Sequence, residues 1–324
     1  MPQRQDLHVL VSVAHRQQAQ ERKGVGHGET RKTQQHENHD AVDALRRRRQ
    51  QGKGRRSRRS GIKRFTWANE LSAPAVTAFE VGDRVAAVIE GAFASEVNVP
   101  ATSVMSVPDH MDFAQAATVP VAFLTAWYGL VRMAGLQRGE RLLIHSAAGG
   151  VGSAALAIAR VRGAEVLATA GTPDKRTYLH EHGVRHVMDS HSTKFGDETP
   201  AATDGEGVDV VLNSLTGELL RRGLELLRVR GRFVEIGKRD IMADAALGLG
   251  PFRNSLSMHS VDLRLLVDRC PELIGELLGE LAPLFASGAL APLPYTPFPV
   301  TRADGAFRKM MGGRRIGKIV LTFA

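Results

Sequence analysis

The sequence predicts an α/β fold built on a doubly wound parallel sheet, and three observations support that prediction. Short β-rich runs alternate with helical stretches over residues 141–237, as in consecutive βαβ units. The 324 residues are 43% hydrophobic, which is enough for a sizeable buried core. Cys270 is the only cysteine, so a disulfide framework and a cysteine-built metal site are both excluded.

The predicted elements follow one another at regular spacing. A turn at Gly82-Asp83 leads into an alternating strand within 79–88. The later β-rich runs are 141–147, 164–170, 186–190, 208–214 and 231–237. The helical stretches are 150–162, 173–183 and 217–229. From Leu263 to Phe285 apolar residues recur at helical spacing, and Pro271 divides this run into two helices that we interpret as core.

The positive charge is confined to the first residues of the chain. The formal net charge is +9, yet residues 1–64 hold 17 Lys and Arg against 6 Asp and Glu, while residues 65–324 carry a net −2. Residues 1–64 also lack aromatic residues, which predicts a disordered basic segment. It is either an arm that binds phosphate backbones or an extension in a non-native reading frame. Without aromatic residues to stack on bases, we do not expect nucleic acid to be the partner.

One segment is apolar enough to resemble a membrane span. Residues 113–131 are nineteen uncharged residues, but Pro120 and several polar residues interrupt the run. We predict a buried helix pair there. The N-terminus lacks a basic start followed by a long apolar stretch, so no secretory signal is expected and the predicted location is cytoplasmic.

A glycine cluster at residues 145–160, HSAAGGVGSAALAIAR, lies between a predicted strand and a predicted helix. We expect Gly149 to permit a tight turn, Gly150 to let the backbone approach a diphosphate, and Gly152 to let the helix pack close to the strand. The helix N-terminus, with Val151, would then offer N–H groups to the diphosphate. This pattern predicts a Rossmann-like dinucleotide site, the alternative being a glycine-rich connector.

The end of the second strand indicates which dinucleotide binds. Chains that bind NAD usually place an acidic residue there for the ribose hydroxyl, but this strand ends in ATAGT with no carboxylate before Asp174. Lys175 and Arg176 follow and are suited to a 2′-phosphate. We therefore predict NADPH, the alternative being that both side chains are merely exposed in the first turn of a helix.

At this point the sequence resembles the enoyl reductase domains of modular polyketide synthases, which are zinc-free medium-chain dehydrogenases/reductases of the quinone-oxidoreductase-like superfamily. The matching stretches are FEVGDRV (79–85), AATVPVAFLTAWYGL (116–130), LIHSAAGGVG (143–152), GVDVVLNSLTGELL (207–220), GRFVEIGKRDI (231–241) and GKIVLTF (317–323). The resemblance implies NADPH-dependent reduction of a 2-enoyl thioester on an acyl carrier protein to the saturated thioester. It also implies that there is no metal or membrane partner, and it leaves a homodimer open.

The resemblance implies two catalytic residues. In enoyl reductases of this type the lysine of GKxD and a downstream aspartate are candidates for the protonation step, and they correspond to Lys238 and to Asp262 in HSVDL. A cation near the thioester would stabilise an enolate and supply its proton. The alternatives are a surface lysine in a loop for Lys238 and a helix cap before Leu263 for Asp262.

The resemblance implies further contacts with the cofactor at Thr125, Thr169, Asn213, Gly237 and Lys318. These residues complete the predicted cofactor site, which already contains the glycine loop, Lys175 and Arg176.

The resemblance fails ahead of residue 71. A family member would have substrate-barrel strands and an LNYRD-like stretch there, but tyrosines occur only at 128, 178 and 295. We expect unrelated sequence to replace the front half, so that strands near 81–88, 95–107 and 295–324 lose pairing partners.

We therefore divide the chain into four parts. These are the basic segment 1–64, a remnant of a GroES-like substrate-binding barrel at 65–122, the NADP(H)-binding domain at 123–258, and a returning segment of the substrate-binding domain at 259–324. Two alternatives to the enoyl reductase stay open: a quinone or alkenal reductase of the same superfamily, and a degenerate domain that binds NADP(H) without activity.

Overall fold

The computed structural model describes residues 79–323 except 81, 90, 91, 95 and 96. The predictions for residues 1–64, and for the first part of the segment 65–122, lie outside the described residues.

A six-stranded, fully parallel sheet forms the centre of the fold, as the sequence predicts. In chain order its strands are β3 (Arg141–Ile144), β4 (Glu165–Ala170), β5 (His186–Asp189), β6 (Val208–Asn213), β7 (Leu227–Glu235) and β8 (Ser257–Ser260). The spatial order is β5-β4-β3-β6-β7-β8. The chain therefore reverses direction across the sheet between β3 and β6, which is where open α/β sheets bind ligands.

Helices cover both faces of this sheet. In chain order the α-helices of the described residues are α1 (Phe113–Ala116), α2 (Pro120–Trp127), α3 (Gly150–Arg162), α4 (Pro173–Glu181), α5 (Phe195–Ala202), α6 (Glu218–Glu225), α7 (Arg239–Met242), α8 (Leu263–Arg269), α9 (Pro271–Ala286) and α10 (Ala303–Met311). A π-helical segment, Tyr128–Met133, continues α2. Helix α3 has the predicted bounds, and Gly163 ends it with a φ of 70°. The predicted break at Pro271 is confirmed, since α9 begins there.

The alternation of side chains along the strands divides the core into two layers. Leu142 and Ile144 of β3 belong to a large cluster with α2, α3 and α9. Leu143 between them faces the other side and packs with Phe195 of α5 and Leu224 of α6. This is the period of two expected for a sheet buried on both faces.

The apolar segment 113–131 folds as the predicted buried helices. Among the described residues, one helical run, Phe113–Met133, is long and apolar enough to cross a membrane, and 78% of its apolar window is buried inside the protein. That degree of burial is typical of a core helix. Trp127 Nε1 donates to Glu280 Oε2 at 2.6 Å, which ties the run to α9.

Two small sheets lie in the segments 65–122 and 259–324, which are predicted to form the remnant of the substrate-binding barrel. Strand β1 (Val85–Ala87) pairs antiparallel with β2 (Val104–Ser106), and β9 (Tyr295–Pro299) pairs in parallel with β10 (Lys318–Thr322). The strand expected over 95–107 is shorter than predicted, because Ala101–Ser103 form a 3₁₀ turn before it.

Helix α3 lies so close to the end of β3 that residue 152 has no room for a side chain. A Cβ on Gly152 would lie 2.6 Å from Ala147 Cα and 2.6 Å from Ser146 O, which are both backbone atoms. The predicted reason for Gly152, close helix–strand packing, agrees with this geometry. Gly149 closes a tight turn, as predicted, and an added Cβ there would lie 3.2 Å from Ser146 O. Its φ is −81°, and the left-handed residue of the turn is Ser146, with a φ of 56°.

Gly152→Ala is expected to lower the free energy of unfolding by about 1–3 kcal/mol, because backbone atoms must move to admit the methyl group. Urea unfolding followed by far-ultraviolet circular dichroism measures the change. The matched control is Gly279→Ala in helix α9, where an added Cβ meets nothing within 4 Å. That control should leave stability unchanged or raise it by up to about 1 kcal/mol. Equal stability of the two variants would contradict the packing argument.

Candidate functional site

The glycine loop places free N–H groups at the edge of the sheet. Gly149 N donates to Ser146 O at 2.9 Å and closes the turn after β3. In the described part of the chain no carbonyl accepts from the N–H groups of Val151 and Gly152 in the first turn of α3, whereas a parallel bridge joins Gly149 to Gly317. These donors and the positive end of the helix dipole form an anion-binding corner.

The side chains of Thr169 and His145 contact each other next to the glycine loop. The Thr169 hydroxyl lies 3.0 Å from His145 Nδ1 and accepts a hydrogen bond from Ser146 N at 3.3 Å. Both side chains are buried, and burial lowers the pKa of His145 to about 3, so the imidazole is neutral. Thr169, which the sequence analysis predicts to contact the cofactor, therefore binds the backbone of Ser146 and stabilises its left-handed conformation.

Three cations converge near the glycine loop. Lys318 crosses above Gly150, where an added Cβ would lie 2.6 Å from Lys318 Cδ. Lys175 Nζ donates to Gly313 O at 2.6 Å, and Arg315 donates to Met310 O at 3.2 Å. Between residues 97 and 323, none of the three has an ion-pair partner. The cations therefore form a positively charged cluster without a counter-charge of their own.

The pKa values of this cluster reflect that lack of counter-charge. Burial, followed by the charge of Arg315, lowers the pKa of Lys318 to about 8 and also lowers the pKa of Lys175. Burial lowers the pKa of Arg315 as well. A bound polyanion would relieve this repulsion.

Arg176 is separated from the cation cluster. Its guanidinium donates to Ala170 O at 3.1 Å and lies 3.5 Å from the Asp189 carboxylate at the end of β5. The sequence pairs Lys175 with Arg176 for the 2′-phosphate, whereas the structure directs the two side chains to different partners. Burial and then the charge of Arg315 lower the pKa of Lys175, so Arg315 acts on that lysine.

Lys238 and Asp262 form an ion pair at the carboxyl end of the sheet. Lys238 follows β7, and its Nζ lies 2.5 Å from Asp262 Oδ1. Both side chains are partly open to solvent. The same Asp262 oxygen accepts from Leu265 N at 3.1 Å and so caps α8. The helix-cap interpretation of Asp262 is confirmed, and the same carboxylate also pairs with the lysine, while its part in the protonation step stays a prediction.

The pKa of Asp262 is lower than usual. Partial burial would raise it, but hydrogen bonds from Lys238 and from Leu265 N outweigh that effect. The carboxylate is therefore held in its charged form beside the ammonium group.

Asn213 and Gly237 belong to a buried network around a residue that the sequence analysis missed. The Asn213 amide donates to Leu215 O at 2.9 Å and to Glu235 Oε2 at 2.5 Å. Gly237 N donates to Glu235 Oε1 at 2.5 Å. Glu235 is 2% exposed, and burial raises its pKa to about 8 against these two hydrogen bonds. The polar atoms of Asn213 are thus used within the protein.

Thr125 lies in the buried face of α2. Its hydroxyl donates to Val121 O at 2.7 Å, so its remaining capacity is as an acceptor. Its contact with a cofactor remains a prediction.

Sequence patterns could have indicated only part of what was missed. Glu235 lies inside the EIGKRD motif, and an acidic residue directly after the apolar pair Phe233-Val234 of a predicted sheet strand is an unusual feature of the sequence. Arg315 lies in a GGRR run that resembles an ordinary exposed turn. No local pattern indicates that this turn lies beside Lys175, 140 residues earlier in the chain.

The described residues contain no group of three or more His, Cys, Asp or Glu side chains arranged to hold a metal ion.

Comparisons with known proteins place the chain among nucleotide-dependent reductases. A family model described as zinc-binding dehydrogenase matches residues 182–321. The mycocerosic acid synthase-like polyketide synthase of Mycolicibacterium smegmatis is 47% identical over 250 residues, which are 76% of this chain. The chain spans only about 12% of that relative's length.

Solved structures extend the comparison to the fold. The CurK enoyl reductase is 41% identical with a TM-score of 0.71, and the match covers 77% of this chain and 74% of that one. The quinone oxidoreductase of Thermus thermophilus, whose structure was solved also in complex with NADPH, is 31% identical with a TM-score of 0.64. That match covers 75% of this chain and 78% of the other.

The raised pKa of Glu235 predicts a pH-dependent stability. The folded value of about 8 lies above the ordinary value of 4.5, so the native state holds the proton more tightly. The stabilisation from this proton is fully present below about pH 4.5 and is lost as pH rises through about 8. Between about pH 5.5 and 8.5, wild type should lose roughly 2–4 kcal/mol of unfolding free energy relative to Glu235→Gln. Denaturant unfolding at both pH values measures this, and parallel pH curves would refute the shift.

Proposed function

The chain belongs to the enoyl reductase family of polyketide synthases, and on that basis we propose that it reduces 2-enoyl thioesters to saturated thioesters with NADPH. The Lys238–Asp262 ion pair is the observation on which this proposal rests. It lies at the carboxyl end of β7, on the same edge of the sheet as the glycine loop after β3, with only β6 between the two strands. A proton donor and a dinucleotide-binding corner on one edge suit a hydride-transfer reaction.

The described residues fit a nicotinamide dinucleotide. The N–H groups of Val151 and Gly152 would bind the diphosphate, which Gly150 lets come close to the backbone. The cations of Lys175, Arg315 and Lys318 have no carboxylate partner among the described residues, and they suit a ligand with additional negative charge. NADPH carries such a charge on its 2′-phosphate, and this favours NADPH over NADH.

In this reaction NADPH supplies a hydride to the β-carbon of the enoyl thioester. Negative charge then develops on the thioester oxygen and the α-carbon, and the Lys238 ammonium group stabilises it electrostatically. Lys238, or a water held by it, delivers a proton to the α-carbon.

Asp262 keeps Lys238 ready for this transfer. Its carboxylate accepts a hydrogen bond from Nζ at 2.5 Å and so holds the ammonium group in place. Because helix α8 begins at Asp262, the carboxylate is held by backbone as well as by charge. We assign Asp262 the role of orienting the ammonium group.

The substrate in this proposal is an acyl group on an acyl carrier protein. Resemblance to polyketide synthases supports this carrier, and with it a cytoplasmic location. The NADP(H)-binding domain would occupy 123–258, and residues 65–122 and 259–324 would contribute to the substrate side.

A quinone reductase is the second candidate. The 31% identity to the Thermus thermophilus quinone oxidoreductase favours it. The NSLTGE and EIGKRD motifs favour the enoyl thioester, and their loops contact each other, since Gly217 N donates to Asp240 Oδ2 at 2.6 Å. The relative rates of NADPH oxidation with a quinone and with a 2-enoyl thioester separate the two candidates.

Lys238→Ala is expected to lower turnover of a 2-enoyl thioester at least about tenfold, since it removes the proton donor and the charge that stabilises the enolate. NADPH oxidation at 340 nm measures turnover, and the NADPH dissociation constant should stay within about threefold. Lys194→Ala is the matched control, because Lys194 is an exposed lysine ahead of α5 without an ion pair in the described part of the chain. Full turnover by Lys238→Ala would eliminate the assigned role.

Removal of the cations should change the preference between dinucleotides. Arg315→Ala and Lys175→Ala should each weaken NADPH binding about tenfold or more and NADH binding much less, since each would lose a charge-assisted contact to the 2′-phosphate. Arg176→Ala should change the preference about twofold or less, because Asp189 already engages its guanidinium. Fluorescence titration with both dinucleotides measures these constants. A larger effect of Arg176→Ala would instead favour the pair predicted from the sequence.

A further inference from the structure

Glu235 is a buried carboxyl group with two polar contacts that hold neighbouring loops together. It is the last residue of β7, 2% exposed, and pairs in register with Asn213 at the end of β6. Oε2 accepts from the Asn213 amide and Oε1 accepts from Gly237 N, both at 2.5 Å. Lys238 is the next residue after Gly237, so the carboxyl group holds the backbone that carries this lysine.

The contact with Gly237 leaves no room for a side chain there. A Cβ on Gly237 would lie 2.7 Å from Glu235 Oε1. The carboxyl oxygen therefore occupies the position that a larger residue would need, and glycine lets the chain turn over the carboxyl group directly into Lys238.

The backbone of Glu235 also holds the other member of the ion pair. Its carbonyl accepts from Val261 N at 2.8 Å, and Asp262 is the next residue. Side chain and backbone of one residue thus bond to the neighbours of both Lys238 and Asp262. A further contact joins the loops of the NSLTGE and EIGKRD motifs, because Gly217 N donates to Asp240 Oδ2, two residues after Lys238.

We propose that Glu235 is a positioning residue, which sets the Lys238–Asp262 pair against the sheet edge by bonding to Asn213 and Gly237. This inference rests on the proposed reductase function, because it assigns Glu235 a role in the same site. Asp240 is the charged group that acts on Glu235 from the neighbouring α7, and its charge raises the pKa of Glu235 further. Glu235 acts through Lys238 and does not itself touch the substrate.

Replacement of the carboxyl group tests this role. Glu235→Met keeps the volume and removes both acceptors, whereas Glu235→Gln keeps one. We expect kcat with a 2-enoyl thioester to fall about tenfold or more in Glu235→Met and less than about threefold in Glu235→Gln. The KM and dissociation constant for NADPH should stay within about threefold in both. Hydrogen exchange of the backbone over residues 236–242 should accelerate in Glu235→Met and remain near wild type in Glu235→Gln.

A matched control separates positioning from stability alone. Asp209 on β6 is an equally buried carboxylate, 3% exposed, which accepts from Arg141 N at the opposite end of the sheet. Asp209→Asn should lower stability but leave kcat per folded molecule within about twofold. If Glu235→Met does not fold, Gly237→Ala should give the same loss of kcat, because its methyl group displaces Oε1.

Two results would overturn the proposal. One is unchanged exchange of residues 236–242 in Glu235→Met, and the other is a kcat that falls equally in Asp209→Asn. If wild type itself reduced no enoyl thioester, the proposed function would fail, while the exchange data would still decide whether Glu235 positions the Lys238 loop.

Discussion

Parallel pairing of β3, β6 and β7 is the constraint on which the candidate site depends. Ile144 pairs with Leu212, and Asn213 pairs with Glu235, so the three strands end side by side. The loops that follow them carry the glycine cluster, the NSLTG turn and the GKRD turn. Because strands in a parallel sheet share one carboxyl edge, the glycine cluster meets two turns there that lie about 60 and 90 residues later in the chain.

Polar contacts between neighbouring loops then fix the edge. Ser214 Oγ donates to Ser146 Oγ at 3.2 Å between the loops after β6 and β3. Glu235 and Asn213 join the loops after β7 and β6. The buried groups therefore hold loop positions, while the charged pair Lys238–Asp262 is partly open to solvent. In the proposed reaction this separation would leave Lys238 accessible to the substrate and give Glu235 a structural role.

The sequence predicted the fold well wherever the evidence was local. Helix α3 has its predicted bounds because a glycine loop precedes it and Gly163 ends it. Lys238 and Asp262 come together as the family resemblance implied. The strand expected over 95–107 was overestimated, because the 3₁₀ turn Ala101–Ser103 directly precedes β2. The turn that Gly149 closes takes its left-handed residue from Ser146.

The missed residues depend on contacts distant in sequence. The pairing register of β6 and β7 brings Glu235 next to Asn213. The C-terminal segment returns to the glycine loop, and its Arg315 then acts on Lys175. Arg176 resembles a phosphate ligand in sequence, but Asp189 at the end of the adjacent strand engages it. Pattern and propensity carry no information about such pairings until the sheet order is known.

Isotope tracing of the reduction tests the central claim most directly. A 2-enoyl thioester is treated in ordinary water with the purified chain and NADPH deuterated at C4 of the dihydronicotinamide on the transferred face, and the product is examined by mass spectrometry and NMR. The account predicts a saturated thioester with one deuterium at the β-carbon and a solvent-derived hydrogen at the α-carbon. Deuterium at the α-carbon, or an unreduced thioester while a quinone is reduced with the same NADPH, would contradict it.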